Sequence, residues 1–192
     1  MNKRVLSLII GIVLTAFTGI ITYIVFKESE PGTPLRRIAL LAGGEFFPWG
    51  WIQNLTFFLF YYGMAEIFLL NREFNREIFA LSKGFLPEKD NWVLSPADVM
   101  ELKLKIIEKE QKGKYFLTDL IKKACVKYRS GKSTSEALEV VSASVRIHQA
   151  KFESAQSFIR YVAWAIPSVG FIGTVIGITA SLGYADQASS LE

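Results

Sequence analysis

The 192-residue chain has one cysteine, Cys125, and one histidine, His148. A single cysteine excludes an intrachain disulfide and any cysteine-based metal centre. A single histidine excludes a two-histidine metal site, and His148 falls among apolar residues at helical spacing, which marks it as a packed or partly solvated seam residue. No serine, histidine and acid combination, no paired carboxylates in a soluble cleft and no zinc spacing is present. Neither a hydrolytic or group-transfer enzyme nor a cofactor is therefore expected. Charge is missing in two long stretches: residues 5–26 and 161–182 contain no Asp, Glu, Lys or Arg.

What is abundant is apolar. The chain is 51% hydrophobic and 14% aromatic, a composition of membrane rather than soluble proteins. At about 1.5 Å per residue, residues 5–26 and 161–182 are each long enough to cross a hydrocarbon core of about 30 Å. Lys3 and Arg4 give the first run a signal-like start, but its apolar part is long and Lys27-Glu28-Ser29-Glu30 offers no small-residue cleavage site, so an uncleaved helix is expected. A third span, about Trp49 to Leu70, opens on aromatic residues suited to an interface and carries one acid, Glu66. The fold class expected is all-α: a polytopic helical membrane protein with three spans and a helical cytoplasmic region.

The basic residues set the orientation. Of 22 Lys and Arg, 17 fall between Asn71 and Arg160, against 12 acids. The positive-inside rule makes that segment and the amino terminus cytoplasmic. Attraction to anionic membrane lipids accounts for the basic excess more simply than nucleic-acid binding, which is not expected. The resulting organisation is an N-terminal membrane hairpin over residues 1–70, a cytoplasmic helical region over 71–160, a third membrane helix over 161–182 and an outer-side tail over 183–192.

Local signals fill in the elements. Pro31-Gly32-Thr33-Pro34 opens the outer connection, whose short apolar run Ile38 to Ala42 is expected to lie along the interface. Asn71 to Ser82 continues the second membrane helix until Gly84 and Pro87 end it. Ser95, Pro96 and Asp98 read as an N-cap and first turn, predicting a helix to about Gln111. Another is expected from about Tyr115 to Arg129. Ser133 and Glu136 form a capping-box pattern, and Leu138, Val141, Val145, His148, Phe152, Ala155 and Ile159 then follow at spacings of three and four, a heptad-like seam. Nothing breaks this helix before the third span, so one continuous helix with a kink near Pro167 is expected, its cytoplasmic part rising on the order of 40 Å.

Within 161–182, Gly173 and Gly177 make a GxxxG spacing continued by Ser181, which lets another helix approach closely, while Pro167, Gly170, Thr174 and Ser181 lie on an adjoining stripe. The string Pro167-Ser168-Val169-Gly170-Phe171-Ile172-Gly173-Thr174-Val175-Ile176-Gly177-Ile178 resembles the proline and GTxxG helix of the MotA/TolQ/ExbB proton-channel family. The resemblance implies a bacterial inner-membrane complex in which five copies of the subunit surround two copies of a single-span ExbD/TolR/MotB-like partner. The titrating aspartate is then the partner's, in keeping with the absence of acids from residues 161–182. Thr174 takes the place of the pore threonine and Pro167 that of the kink. Gly170, Gly173 and Gly177 shape and pack the pore helix, and Ser181 adds a polar contact on the ion path. Family members carry a fourth span, whereas this sequence ends ten residues after Leu182; it is read as a fragment, a truncated product or a chain with an incomplete pore. A membrane-anchored scaffold that conducts no ion is the alternative, and it would use the same GxxxG face for packing alone.

Other candidates carry less. A helix threonine commonly bonds back to its own carbonyls, so Thr174 owes its preference to the surrounding pattern. Glu66 is a possible polar site at the membrane edge, but an acid near a helix end can reach headgroups, Arg72 or Lys83, which favours a structural role. Gly131-Lys132-Ser133-Thr134 imitates a phosphate loop, yet Val126 stands where its first glycine is required. The Asn54-Leu55-Thr56 sequon lies inside an expected membrane helix and is set aside.

Overall fold

The computed structural model describes residues 3–86, 95–110, 113–131 and 133–189. Among them the chain is all-α, with no strand: α1 (Lys3–Glu28), α2 (Pro34–Leu41), a π-type turn (Phe46–Gly50), α3 (Trp51–Leu81), α4 (Pro96–Glu110), α5 (Phe116–Gly131) and α6 (Thr134–Ser189). The expectations placed on Pro87, Gln111, Lys132 and residues 190–192 lie outside the described residues. Gly183 to Ser189, expected to begin a tail, continue α6.

The helix starts follow from capping chemistry. Ser95 and Asp98 satisfy each other's backbone, Ser95 N donating to Asp98 Oδ2 at 2.8 Å and Asp98 N to Ser95 Oγ at 3.3 Å. Glu136 N donates to Ser133 Oγ at 3.4 Å at the start of α6, and Arg36 N to Thr33 Oγ1 at 3.4 Å at the start of α2. α6 runs uninterrupted through Pro167, although proline removes the N–H that would otherwise reach the carbonyl of Ala163.

Among the described residues two helices are long and apolar enough to cross a membrane, Arg4–Glu28 and Thr134–Gly183; only 6% of the most apolar stretch of each is buried within the chain. Large apolar side chains such as Phe17, Trp164, Phe171 and Ile178 are correspondingly exposed, a surface that needs cover from something other than water. α3 is not one of the two. Gln53, Asn54, Tyr61, Tyr62 and Glu66 dilute its apolar content over the stretch where a third span is expected.

The chain divides into two units, one of residues 1–69 with 156–192 and one of residues 70–155. In the first, α1 and α3 run antiparallel in close contact. A Cβ on Gly11 would lie 3.2 Å from Tyr62 Cα, and one on Gly19 would lie 2.9 Å from Asn54 Oδ1. The C-terminal part of α6 packs on α3 through Gly63 and Val162, at 3.2 Å from a Cβ built on the glycine to Val162 Cγ1, and through Gly173 and Ile52, at 3.0 Å to Ile52 Cγ2. Asn54 and Gln53 secure the turn before α3: Asn54 Nδ2 donates to the Gly50 carbonyl at 2.8 Å and Gln53 Nε2 to the Leu41 carbonyl at 3.1 Å.

The second unit has a small core of Ala80, Phe85, Val99, Ile106, Tyr115, Ile121 and Cys125. Polar contacts tie its edges. Phe116 N donates to Glu77 Oε2 at 2.8 Å, and Lys122 Nζ and Thr118 Oγ1 each donate to Glu110 Oε1 at 2.7 Å. The seam of α6 is only partly covered. His148 stacks on Phe116 at 3.8 Å between centroids, whereas Leu138, a seam member by spacing, is 66% exposed. The half-buried line instead takes in Ala137, Val140, Val141, Ser144, His148, Phe152 and Ala155. A straight helix of 3.6 residues per turn drifts off a strict heptad, so the covered line changes positions along its length.

The Lys122 hydrogen bond, helped by Thr118, holds the Glu110 carboxyl below its ordinary value of 4.5. A depressed folded-state value means that the contribution of Glu110 to stability is complete above about 4.5 and is lost as pH falls through the folded value. Amide exchange in α4 and α5 is therefore expected to accelerate on acidification below that point, and Glu110→Gln should flatten this dependence. Unaltered acid sensitivity in Glu110→Gln would assign the effect to another carboxylate.

Candidate functional site

Thr174 and Ser181, expected on an ion path, and Pro167, Gly170, Gly173 and Gly177, expected to shape and pack the helix, lie on the C-terminal part of α6. Gly170, Thr174, Gly177 and Ser181 succeed one another at spacings of four, three and four, which holds them on one stripe. That stripe is open. A Cβ at Gly170 or Gly177 would meet nothing within 4 Å, and Thr174 and Ser181 are exposed. Gly173, on the neighbouring face, is covered by Ile52 of α3. The GxxxG pair is thus split within the chain: Gly173 packs against α3, while Gly177 faces outward.

Both hydroxyls on the stripe bond back to their own helix. Thr174 Oγ1 donates to the Phe171 carbonyl at 2.7 Å, and Ser181 Oγ donates to the Ile178 carbonyl at 2.8 Å. Each keeps oxygen lone pairs free to accept from water or from a protonated carboxyl. The face therefore combines close approach at the glycines with hydroxyl groups, without a charge of its own.

Glu66 is placed elsewhere in the same unit. It takes a hydrogen bond from Ser7 Oγ on α1, rather than reaching Arg72 or Lys83. Ser7 is fully buried and also approaches the Arg4 carbonyl at 3.0 Å. The Arg4 guanidinium lies 5.6 Å from the centre of the Phe158 ring, which meets Tyr62 edge-on with centroids 5.6 Å apart. Glu66 is thus a polar tie between α1 and α3 and stands apart from the open stripe of α6. Ser7 was not singled out from the sequence. The signal was there, because an acid in an apolar helix needs a polar partner and Ser7 is the hydroxyl near the matching end of α1.

Within the second unit, the His148 ring stacks on Phe116 and lies tilted against Phe152, with centroids 5.4 Å apart. Cys125 is buried, and burial pushes its thiol up from the ordinary value of 9.0, leaving it a poor nucleophile.

Two long apolar helices with little internal cover and an open glycine and hydroxyl stripe suggest an α-helical membrane protein. Residues 108–191 match the model of the MotA/TolQ/ExbB proton channel family, and this match supports the chain's membership of that family. The matched segment takes in the end of α4, all of α5 and the whole of α6, including the stripe. No curated protein and no solved structure matched the chain. The match suggests energy transduction of the proton-channel type.

Proposed function

We propose that the chain is the pore-forming subunit of a proton-driven complex of the bacterial inner membrane. Copies of it, five by family resemblance, surround a single-span partner that carries the titrating aspartate. The observation that carries this reading is the family match over α6 together with the open stripe of Gly170, Thr174, Gly177 and Ser181 within the matched segment.

In this reading α1, α3 and the C-terminal part of α6 are three spans, with the amino terminus on the cytoplasmic side. α3 tolerates its polar residues because Asn54 and Gln53 bind carbonyls at one end and Glu66 accepts from Ser7 near the other. The stripe supplies what a partner carboxyl needs in order to take and release protons in a dry environment: room at the glycines and a hydroxyl at Thr174. Proton passage down the membrane potential, about 2.3 kcal/mol per charge per 100 mV, is then converted into force on the partner. The chain supplies a path and a surface rather than covalent chemistry.

The test is proton uptake by vesicles containing the purified chain, with and without its single-span partner. Uptake should appear only when both are present and vanish when the partner's aspartate is replaced by asparagine. A stable complex without potential-driven uptake would make the chain a membrane scaffold.

A further inference from the structure

The basic side chains of α4 and α5 fall into two groups. Lys105 pairs with Glu101 at 2.6 Å, Lys122 with Glu110 at 2.7 Å, Lys123 with Asp119 at 2.8 Å and Lys127 with Glu136 at 2.9 Å. Lys109 lies 5.9 Å from the centre of the Phe85 ring. Lys103 and Arg129 are the two on these helices left, among the described residues, with neither a carboxylate nor a ring. Arg129 Nη1 reaches only the Met100 sulfur, at 3.4 Å, and a thioether is a weak acceptor for a guanidinium with five donors.

These two cations line one cavity. It lies between α4 and α5, has a volume of about 440 Å³ and is bounded also by Val99, Met100, Cys125 and Val126. Val99 and Cys125 are buried, so the inner end of the cavity is apolar, while Arg129 and Val126 stand at its exposed side. The size falls in the roughly 300–1,000 Å³ range of small-molecule sites. A lone surface cation is ordinarily just solvated and contributes little. Here both unpaired cations of the helix pair converge on a single apolar concavity, an arrangement that scattered solvation does not explain. A carboxylate or phosphate between them would gain charge-assisted hydrogen bonds. An apolar stem on that anion would cover Met100 and Val126, surface that α4 and α5 leave open.

We propose that the cavity between α4 and α5 binds a small amphiphilic anion, a carboxylate or phosphate monoester on a short apolar stem, held by Lys103 and Arg129 over an apolar floor. The site is independent of the ion path, because its residues belong to the unit of residues 70–155.

The test uses the full chain in nanodiscs, titrated calorimetrically with hexyl phosphate and with hexanoate, after subtraction of empty discs. At least one should bind saturably, more tightly than inorganic phosphate or hexanol. The double variant Lys103→Ala/Arg129→Ala should weaken binding by about tenfold or more, the loss of charge-assisted contacts. Arg129→Lys, which keeps the charge, should retain most of the affinity, and neither residue belongs to the core that folds this unit. Cys125 locates the ligand. As the sole cysteine, it should be alkylated by a maleimide more slowly when the probe is bound. Failure of both probes to bind saturably, equal binding of inorganic phosphate or hexanol, or unchanged affinity in the double variant would each overturn the proposal.

Discussion

Replacing Thr174 by valine is expected to lower partner-dependent proton uptake by roughly ten- to a hundredfold while leaving the fold intact. The size follows from the proposed role. Once the partner carboxyl has released its proton, the Thr174 hydroxyl turns from the Phe171 carbonyl to donate to the carboxylate; a hydrogen bond to a charged group is worth about 1.5–3 kcal/mol, and each 1.36 kcal/mol of barrier is about tenfold in rate. The fold should survive because Thr174 is exposed and its hydroxyl bonds only to the Phe171 carbonyl of its own helix; valine keeps the shape and the β-branch. Thr174→Ser should retain most of the uptake, since it restores the hydroxyl. The pair of variants thereby separates chemistry from packing. Full uptake in Thr174→Val, with the complex assembled as in the wild type, would remove Thr174 from the ion path and return it to the role its back-bond already describes.

How far the sequence disclosed this arrangement depends on the range of each interaction. Helix starts at Ser95 and Ser133 were legible because a cap is decided within four residues, and both capping bonds form. The continuity of α6 through Pro167 was legible as well, since no other breaker interrupts the run. The string from Pro167 to Ile178 carried the family resemblance, and the family match covers it. Tertiary pairings were harder to read. Glu66 was noticed as an acid in an apolar helix, but its partner Ser7 lies 59 residues away in sequence. Asn54 attracted notice only as a glycosylation pattern, whereas its amide secures the turn that feeds α3. The seam of α6 was drawn as a heptad and fails at Leu138, because the covering surface follows Phe116 and its neighbours rather than a second straight helix. Lys103 and Arg129 had no signal of their own; only the pairing of every other cation on their helices sets them apart.

Glycines divide along the same line, which gives the second large expected effect. Gly44→Ala should destabilise the unit formed by residues 1–69 and 156–192 by about 3 kcal/mol, at the upper end of ordinary overpacking. A Cβ at Gly44 would lie 2.6 Å from the Thr22 carbonyl oxygen, 2.8 Å from the Ala39 carbonyl oxygen and 2.9 Å from Phe26 Cβ. Two of these three are backbone atoms of α1 and α2, which a rotamer change cannot move aside. Gly44 N also donates to the Ala39 carbonyl at 2.8 Å, so displacement of the turn would break a hydrogen bond as well. Gly32→Ala is the control. Gly32 has φ +92° but nothing within 4 Å of its Cβ position, so alanine there meets only the backbone penalty of a positive φ, roughly 1–2 kcal/mol. Denaturant unfolding in a fixed detergent, followed by tryptophan fluorescence, should place Gly44→Ala well below Gly32→Ala in stability. Equal losses would mean that the turn moves freely away from α1 and α2. In that case the start of α3 would be held mainly by Asn54 and Gln53, and Asn54→Ala should become the more damaging change.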